Sequence, residues 1–267
     1  MRGALLALLF LAPATARAAR VLVVVSEPLA GSYREALEGF RAEWGEGVEV
    51  ASAGRALPPG ERGVIVAFGA HAAARARQGG APMVVALAPT YRADGGRPAT
   101  VQVAMTPSPE RFAAMLAAAG VHRLLAVRSP AADAEFIRLA AVAGKRAGVR
   151  IEDAILASAD AIPRLLRKDG VLADAIWLAP DPVSVTPQTF GAAREFSRAR
   201  SLPFFAPAEG LVLNEVRGDL VVSFRECGRE AARAARELLA GRLTERVVYP
   251  PALSESILVG RSTVPVP

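Results

Sequence analysis

Asp181 stands between Pro180 and Pro182, directly after the unbroken apolar run Ala175-Ile176-Trp177-Leu178-Ala179. Such a run reads as a strand covered on both faces, as in a parallel sheet. Residues just past a strand of this kind sit at its carboxyl end, where open α/β sheets bind ligands. A carboxylate placed there can meet a ligand's ammonium; equally, it can belong to a solvated loop that starts the next helix. His71 follows the apolar run Val64-Ile65-Val66-Ala67-Phe68 and is either a cleft contact or a polar residue in a first helical turn. His122 precedes a strand and is assigned to the surface. The two histidines are far apart and have no second strong ligand at metal spacing, so no metal site is expected. Cys227 is the single cysteine, which forbids an intramolecular disulfide. At a helix start its thiol could be activated; the reading adopted is a small buried apolar residue.

Several chemistries lack their residues. No G-x-G-x-x-G follows the first strand, where Ser26-Glu27-Pro28-Leu29-Ala30-Gly31 stands instead, so a dinucleotide cofactor is not expected. There is no P-loop and no G-x-S-x-G nucleophile elbow. No nucleophile with a base partner is found, so no catalytic residue is assigned and an enzyme is not expected.

The elements that must position these groups follow one grammar. Val21 to Val25 is a first buried strand, and Ser32 with Glu35 forms an S-x-x-E capping box for a helix that Gly45 ends. Val48 to Val50 is a weaker strand. Val64 to Phe68 and Met83 to Ala88 are buried strands with an alanine-rich helix between them. Strand, loop and helix in repetition imply a parallel sheet with helices on both faces. Ser108-Pro109 then starts a helix, with serine as cap and proline at the first helical position. A second set follows: strands at Arg123 to Val127, Val149 to Ala157, the Asp181 run, Pro203 to Ala206 and Leu220 to Ser223, with helices over Ala132 to Ala147, around Ile162 to Leu166 and after Thr186-Pro187. An alanine-rich helix runs from Cys227 to Ala240, and the tail has a strand-like Ser256 to Val259. The fold class expected is α/β, with two doubly wound parallel-sheet lobes.

The chain has 267 residues, is 52% hydrophobic and carries a formal charge of +6. Its arginines are scattered through helical stretches beside glutamates, as at Arg229-Glu230, with no dense basic block; nucleic acid is not an expected partner. Arg2, the apolar Ala4 to Ala12 and Ala16-Arg17-Ala18 have the layout of a cleaved export signal over residues 1–19. Nine apolar residues are too few to span a bilayer.

Across nearly the whole mature chain these features resemble a periplasmic substrate-binding protein of an ABC transporter, of the type I periplasmic-binding-protein fold. The likeness is to the branch that includes aromatic-amino-acid binders. It rests on Tyr33 to Phe40, Val64 to Gly69, Ile176 to Pro182, Leu202-Pro203-Phe204-Phe205-Ala206 and Gly228 through Gly241. The resemblance implies three chain crossings between lobes joined by a hinge. The first lobe would hold roughly residues 20–105 plus 227–249, and the second 106–226 plus 250–267. It also implies a periplasmic monomer that traps a small, amino-acid-like molecule between the lobes and delivers it to a membrane permease. The alternatives are service to an envelope sensor, or a secreted α/β enzyme. Ligand contacts would come from Ser26, Glu27, Ala70, His71, Pro89 and Thr90 in the first lobe. In the second they would come from Ser129, Asp181, Ala206 and Glu209. Hydroxyls and strand-end amides would hold a carboxylate, and Asp181 or Glu209 an ammonium.

Overall fold

The computed structural model describes residues 21–26, 31–92, 99–212, 215–243 and 245–252. The expected leader, Glu27 and the strand-like Ser256 to Val259 lie outside these residues. Ten strands form two parallel sheets among the described residues. In the first, β1 (Val21–Val25) lies between β2 (Glu49–Ser52) and β3 (Val64–Phe68). Beyond β3 come β4 (Met83–Ala86), β5 (Thr100–Val103) and β10 (Val247–Val248), giving the order β10-β5-β4-β3-β1-β2. The second sheet has the order β7-β6-β8-β9, built from β6 (Arg123–Arg128), β7 (Arg150–Ile155), β8 (Ala175–Leu178) and β9 (Phe204–Phe205).

The unbroken apolar runs have a simple cause. In β1, Val21, Val23 and Val25 pack into one core, while Leu22 and Val24 pack into another on the opposite face. A strand alternates its side chains between faces, so a strand covered on both sides has no position left for a polar residue. Helices α1 (Gly31–Trp44) and α7 (Phe224–Leu239) cover the first face, with Phe40, Ala231 and Ala235 in the core. Helix α2 (Ala70–Arg77) covers the second with Ala72, Ala73 and Ala76. The other sheet repeats the arrangement. Helices α3 (Pro109–Ala118) and α4 (Ala134–Ala147) meet Leu124, Ala126 and Trp177 on one face. Helices α5 (Ile162–Asp169) and α6 (Pro187–Arg200) flank Leu125, Val127, Ile176 and Leu178 on the other. Both sheets are therefore doubly wound, as expected.

Helix α7 lies so close to α1 that only glycine fits at the crossing. A Cβ on Gly228 would stand 1.9 Å from the Ala36 carbonyl oxygen, and one on Gly39 would stand 2.0 Å from that of Arg225.

Several expectations are corrected. Leu220 to Ser223 is not a strand: Val222 makes a single bridge to Ala252, and the segment is buried by packing alone. Strands β5 and β10 were not expected from the sequence. Helix α1 begins at Gly31, which puts Ser32 inside the helix rather than at its cap. Helix α7 begins at Phe224, three residues ahead of Cys227. The Ser108 cap is as expected, its Oγ accepting from the Arg111 amide at 3.3 Å with Pro109 at the first helical position.

Candidate functional site

All strands of each sheet run parallel, so their carboxyl ends gather on one side, and it is there that a cleft opens between the sheets. The cavity within it is about 50 Å³ and is partly open to solvent. From the first sheet its wall takes Pro89 past β4, Gln102 on β5, Ala104 to Thr106 past β5, and Val247 with Tyr249 at β10. From the second it takes Trp177 on β8, Ala179 to Asp181 past β8, and Ala132, Asp133, Phe136 and Ile137 where α4 begins. The alternation of β5 explains Gln102: Val101 and Val103 turn into the core, which leaves Gln102 on the other side.

The wall on the second sheet is aromatic. Trp177 meets Phe112 edge to face with ring centroids 5.0 Å apart, and Phe136 at 6.1 Å; Phe112 and Phe136 are themselves 5.3 Å apart. Such pairs hold one another's orientation, which gives a rigid apolar surface.

The charged groups on the described walls are of one electrical sign. Asp133 is the N-cap of α4, its Oδ1 accepting from the amides of Glu135 at 3.1 Å and Phe136 at 3.2 Å. Asp181 is 2% exposed and accepts three backbone amides: Ser129 at 3.1 Å on Oδ2, and Val183 at 2.9 Å and Ser184 at 3.0 Å on Oδ1. Burial, then the charges of Asp133, Glu110, Glu135 and Glu245, push the Tyr249 phenol above its ordinary range, so it stays a hydroxyl. No lysine or arginine is among the described residues that line the cleft. At the rim, Arg92 Nη1 donates to the carbonyls of Pro89 at 3.2 Å and Tyr91 at 2.9 Å, and Nη2 to that of Ala131 at 2.8 Å. The last of these joins the loop after β4 to the loop after β6, across the two sheets.

Of the candidate contacts that fall on described residues, Asp181 lines the cleft and Ser129 is bonded to it, with its own Oγ buried and unpartnered. Ser26 lies past β1, its Oγ accepting the Ala72 amide of α2 at 3.2 Å. Ala70 and His71 are exposed at the start of that helix, and Thr90 is half-buried in the turn after β4. Pro89 is on the cleft wall. Ala206 is in the core behind β9, its amide donating to the Arg217 carbonyl at 2.8 Å. Glu209 caps α7, its Oε2 accepting the Phe224 amide at 2.9 Å. Sequence reasoning missed Asp133, Phe136, Gln102 and Tyr249. The one signal for Asp133 was its position as a capping residue before an amphipathic helix; Gln102 is on a strand too polar to announce itself, and Tyr249 follows a strand of two residues.

Cys227 is fully buried, its Sγ 3.8 Å from the Ala104 carbonyl oxygen. Burial first, then the charges of Glu209, Glu226 and Glu230, push the thiol far above its ordinary range. That removes the activated-thiol reading. Among the described residues, no group of three or more His, Cys, Asp or Glu side chains is placed to hold a metal ion, and no helix is long and apolar enough to cross a membrane.

No protein-family model matches the chain, and no curated protein matches it in sequence. Solved structures do match it in shape. One is an ABC domain in complex with L-Trp from Streptococcus pneumoniae, 14% identical, covering 87% of this chain and 90% of that one with a TM-score of 0.58. A second is the ligand-free, open form of a substrate-binding protein with adhesive properties from Clostridium difficile: 10% identity, 86% and 89% coverage, TM-score 0.55. A third is a LacI-type transcriptional regulator from Bacillus cereus: 15% identity, 87% and 95% coverage, TM-score 0.51. Binding proteins and a regulator thus share one architecture with this chain, and identities so low carry the architecture alone. The order of two doubly wound parallel sheets, the late return of α7 and β10 to the first sheet, and these matches agree: the chain has the type I periplasmic-binding-protein fold.

Proposed function

We propose that this chain is an exported solute-binding protein that captures a small molecule between two hinged lobes and presents it to the permease of an ABC uptake transporter. The observation that carries the reading is the cleft between the sheets. Its walls come from the carboxyl ends of strands in both sheets, and it combines an aromatic surface with a few polar groups, the usual make-up of a small-molecule site. In this reading the first lobe is the six-stranded sheet with α1, α2 and α7, the second is the four-stranded sheet with α3 to α6, and Ala104 to Thr106 belong to the hinge. The leader over residues 1–19 would deliver the chain to the periplasm as a monomer. The L-Trp bound in one of the structural matches is consistent with capture of a small polar solute that carries an apolar body.

A ligand that binds only the folded chain stabilises it by mass action. Thermal melting in the presence of amino acids, peptides, sugars and nucleosides should therefore raise the midpoint by about 5 °C or more for at least one class at saturating concentration. A folded protein that shifts with none of them, and from which no small molecule co-purifies, would overturn the reading.

A further inference from the structure

The described walls of the cleft are apolar, aromatic or negatively polarised. Asp133 and Asp181 supply two carboxylates, while Gln102, Thr106 and Tyr249 are neutral. An anionic solute would have to leave water and settle beside these carboxylates with no cation to pair with among the described lining residues, a costly transfer. Two structural features that would otherwise offset that cost are already engaged. The amino end of α4 would ordinarily attract an anion, but Asp133 covers it and its Oδ1 takes two of the amides. The rim guanidinium of Arg92 has both terminal nitrogens on backbone carbonyls. Asp181 has three amide donors on its two oxygens, so it contributes field rather than a free acceptor. Asp133 differs: its Oδ2 has no partner among the described residues, and the side chain lies on the cleft wall beside the aromatic surface.

We infer that the solute of this cleft is an organic cation, an amine on an apolar body, whose ammonium pairs with Asp133 and whose body rests against Trp177 and Phe136. Recognition does not use a solute carboxylate. This rests on the solute-binding reading and narrows it, because it separates amines from free amino acids and from acids of the same shape. The ammonium gains a charge-assisted hydrogen bond at Oδ2. Desolvation of the cation is offset by the field of the second carboxylate.

The test uses three probes of equal ring size, tryptamine, indole and indole-3-acetate, titrated into the full mature chain by calorimetry and compared by thermal melting followed by circular dichroism. Tryptamine should bind at least about tenfold more tightly than indole-3-acetate and indole, given the strength of a charge-assisted bond. Asp133→Asn keeps a good capping residue on α4 and should weaken tryptamine about ten- to a hundredfold while the melting temperature of the unliganded protein stays put. Asp133→Ser, a second capping residue without charge, should do the same if the asparagine variant folds poorly. The inference is overturned if indole-3-acetate binds as tightly as tryptamine, or if both variants hold tryptamine like the parent chain. Mass spectrometry of molecules released from the natively purified protein separates the two levels. A retained anion would sink the charge inference and leave solute binding intact; no retained molecule and no response to any probe or panel compound would remove both.

Discussion

The amide of Ser129 donates to Oδ2 of Asp181 at 3.1 Å, and this bond ties the end of β6 to the end of β8. Oδ1 of the same carboxylate closes the turn that follows β8 by accepting from Val183 and Ser184. One side chain thus holds two strand ends and a loop at the cleft wall.

Removing that carboxylate should leave three backbone donors without their acceptor. Each buried unsatisfied donor costs about 1–3 kcal/mol, and relaxation toward water recovers part of it. Asp181→Ala is expected to lose about 2–4 kcal/mol in urea denaturation. A loss under about 0.5 kcal/mol would mean the carboxylate is not the structural clasp described here.

The crossing of α1 and α7 makes a sharper prediction. Gly228→Ala puts a methyl group against the Ala36 carbonyl at a separation that atoms do not tolerate, so the helices must part. We expect about 3 kcal/mol or more of destabilisation, or failure to accumulate as folded protein. Gly191→Ala is the control. Its new methyl would meet nothing within 4 Å, and alanine is the better helix former, so stability should rise by about 0.5–1 kcal/mol. Equal behaviour of the two variants would refute the close-approach argument.

Cys227 sets a pH dependence whose sign is determined. The folded state holds the thiol protonated, because burial and three nearby glutamates raise its pKa. The unfolded chain ionises near the ordinary value of about 8.5. Above that pH the unfolded state binds fewer protons, so stability falls by about 1.4 kcal/mol per pH unit from this residue, and it is fully present below. Cys227→Ala should remove this slope. Urea melts at pH 7.5, 9 and 10 give the comparison: a difference between parent and variant that stays constant with pH would contradict it. A thiol reagent at pH 8 should react with the parent protein only once it is unfolded.

Arg92 joins the loops of the two sheets through the Ala131 carbonyl. Its guanidinium is exposed, so Arg92→Ala should change overall stability by less than about 1 kcal/mol. If the sheets belong to hinged lobes, the same change should shift the opening equilibrium by up to about tenfold, the worth of one hydrogen bond. Small-angle scattering of the unliganded protein would register a larger radius of gyration. An unchanged scattering profile together with unchanged ligand dissociation would show that this contact does not hold the cleft.

Much of the architecture was legible in the sequence, because a strand buried on both faces can carry only apolar residues. Val21 to Val25, Val64 to Phe68 and the Trp177 run therefore announce themselves. The Ser108-Pro109 and Thr186-Pro187 starts were legible too, since capping is settled within four residues of chain. The same rule misled at Leu220 to Ser223, where burial comes from packing without a neighbouring strand. It was silent at Thr100–Val103, whose half-polar alternation fits a strand with one side toward a cleft.

Local pattern thus determined that there are two parallel layered sheets and roughly where their strands end, including the end that Asp181 marks. It could not decide which ends face one another. Trp177, Asp133, Gln102 and Tyr249 are separated by long stretches of chain; they share one cleft because the carboxyl ends of the two sheets face each other, and Tyr249 joins them because β10 returns to the first sheet after the second is complete. Nor could it decide that the Asp181 carboxylate would be engaged by backbone amides while that of Asp133 kept an oxygen without a partner among the described residues. Periodicity reports which face of an element is buried; what a polar atom meets there depends on which distant segment the tertiary structure brings against it.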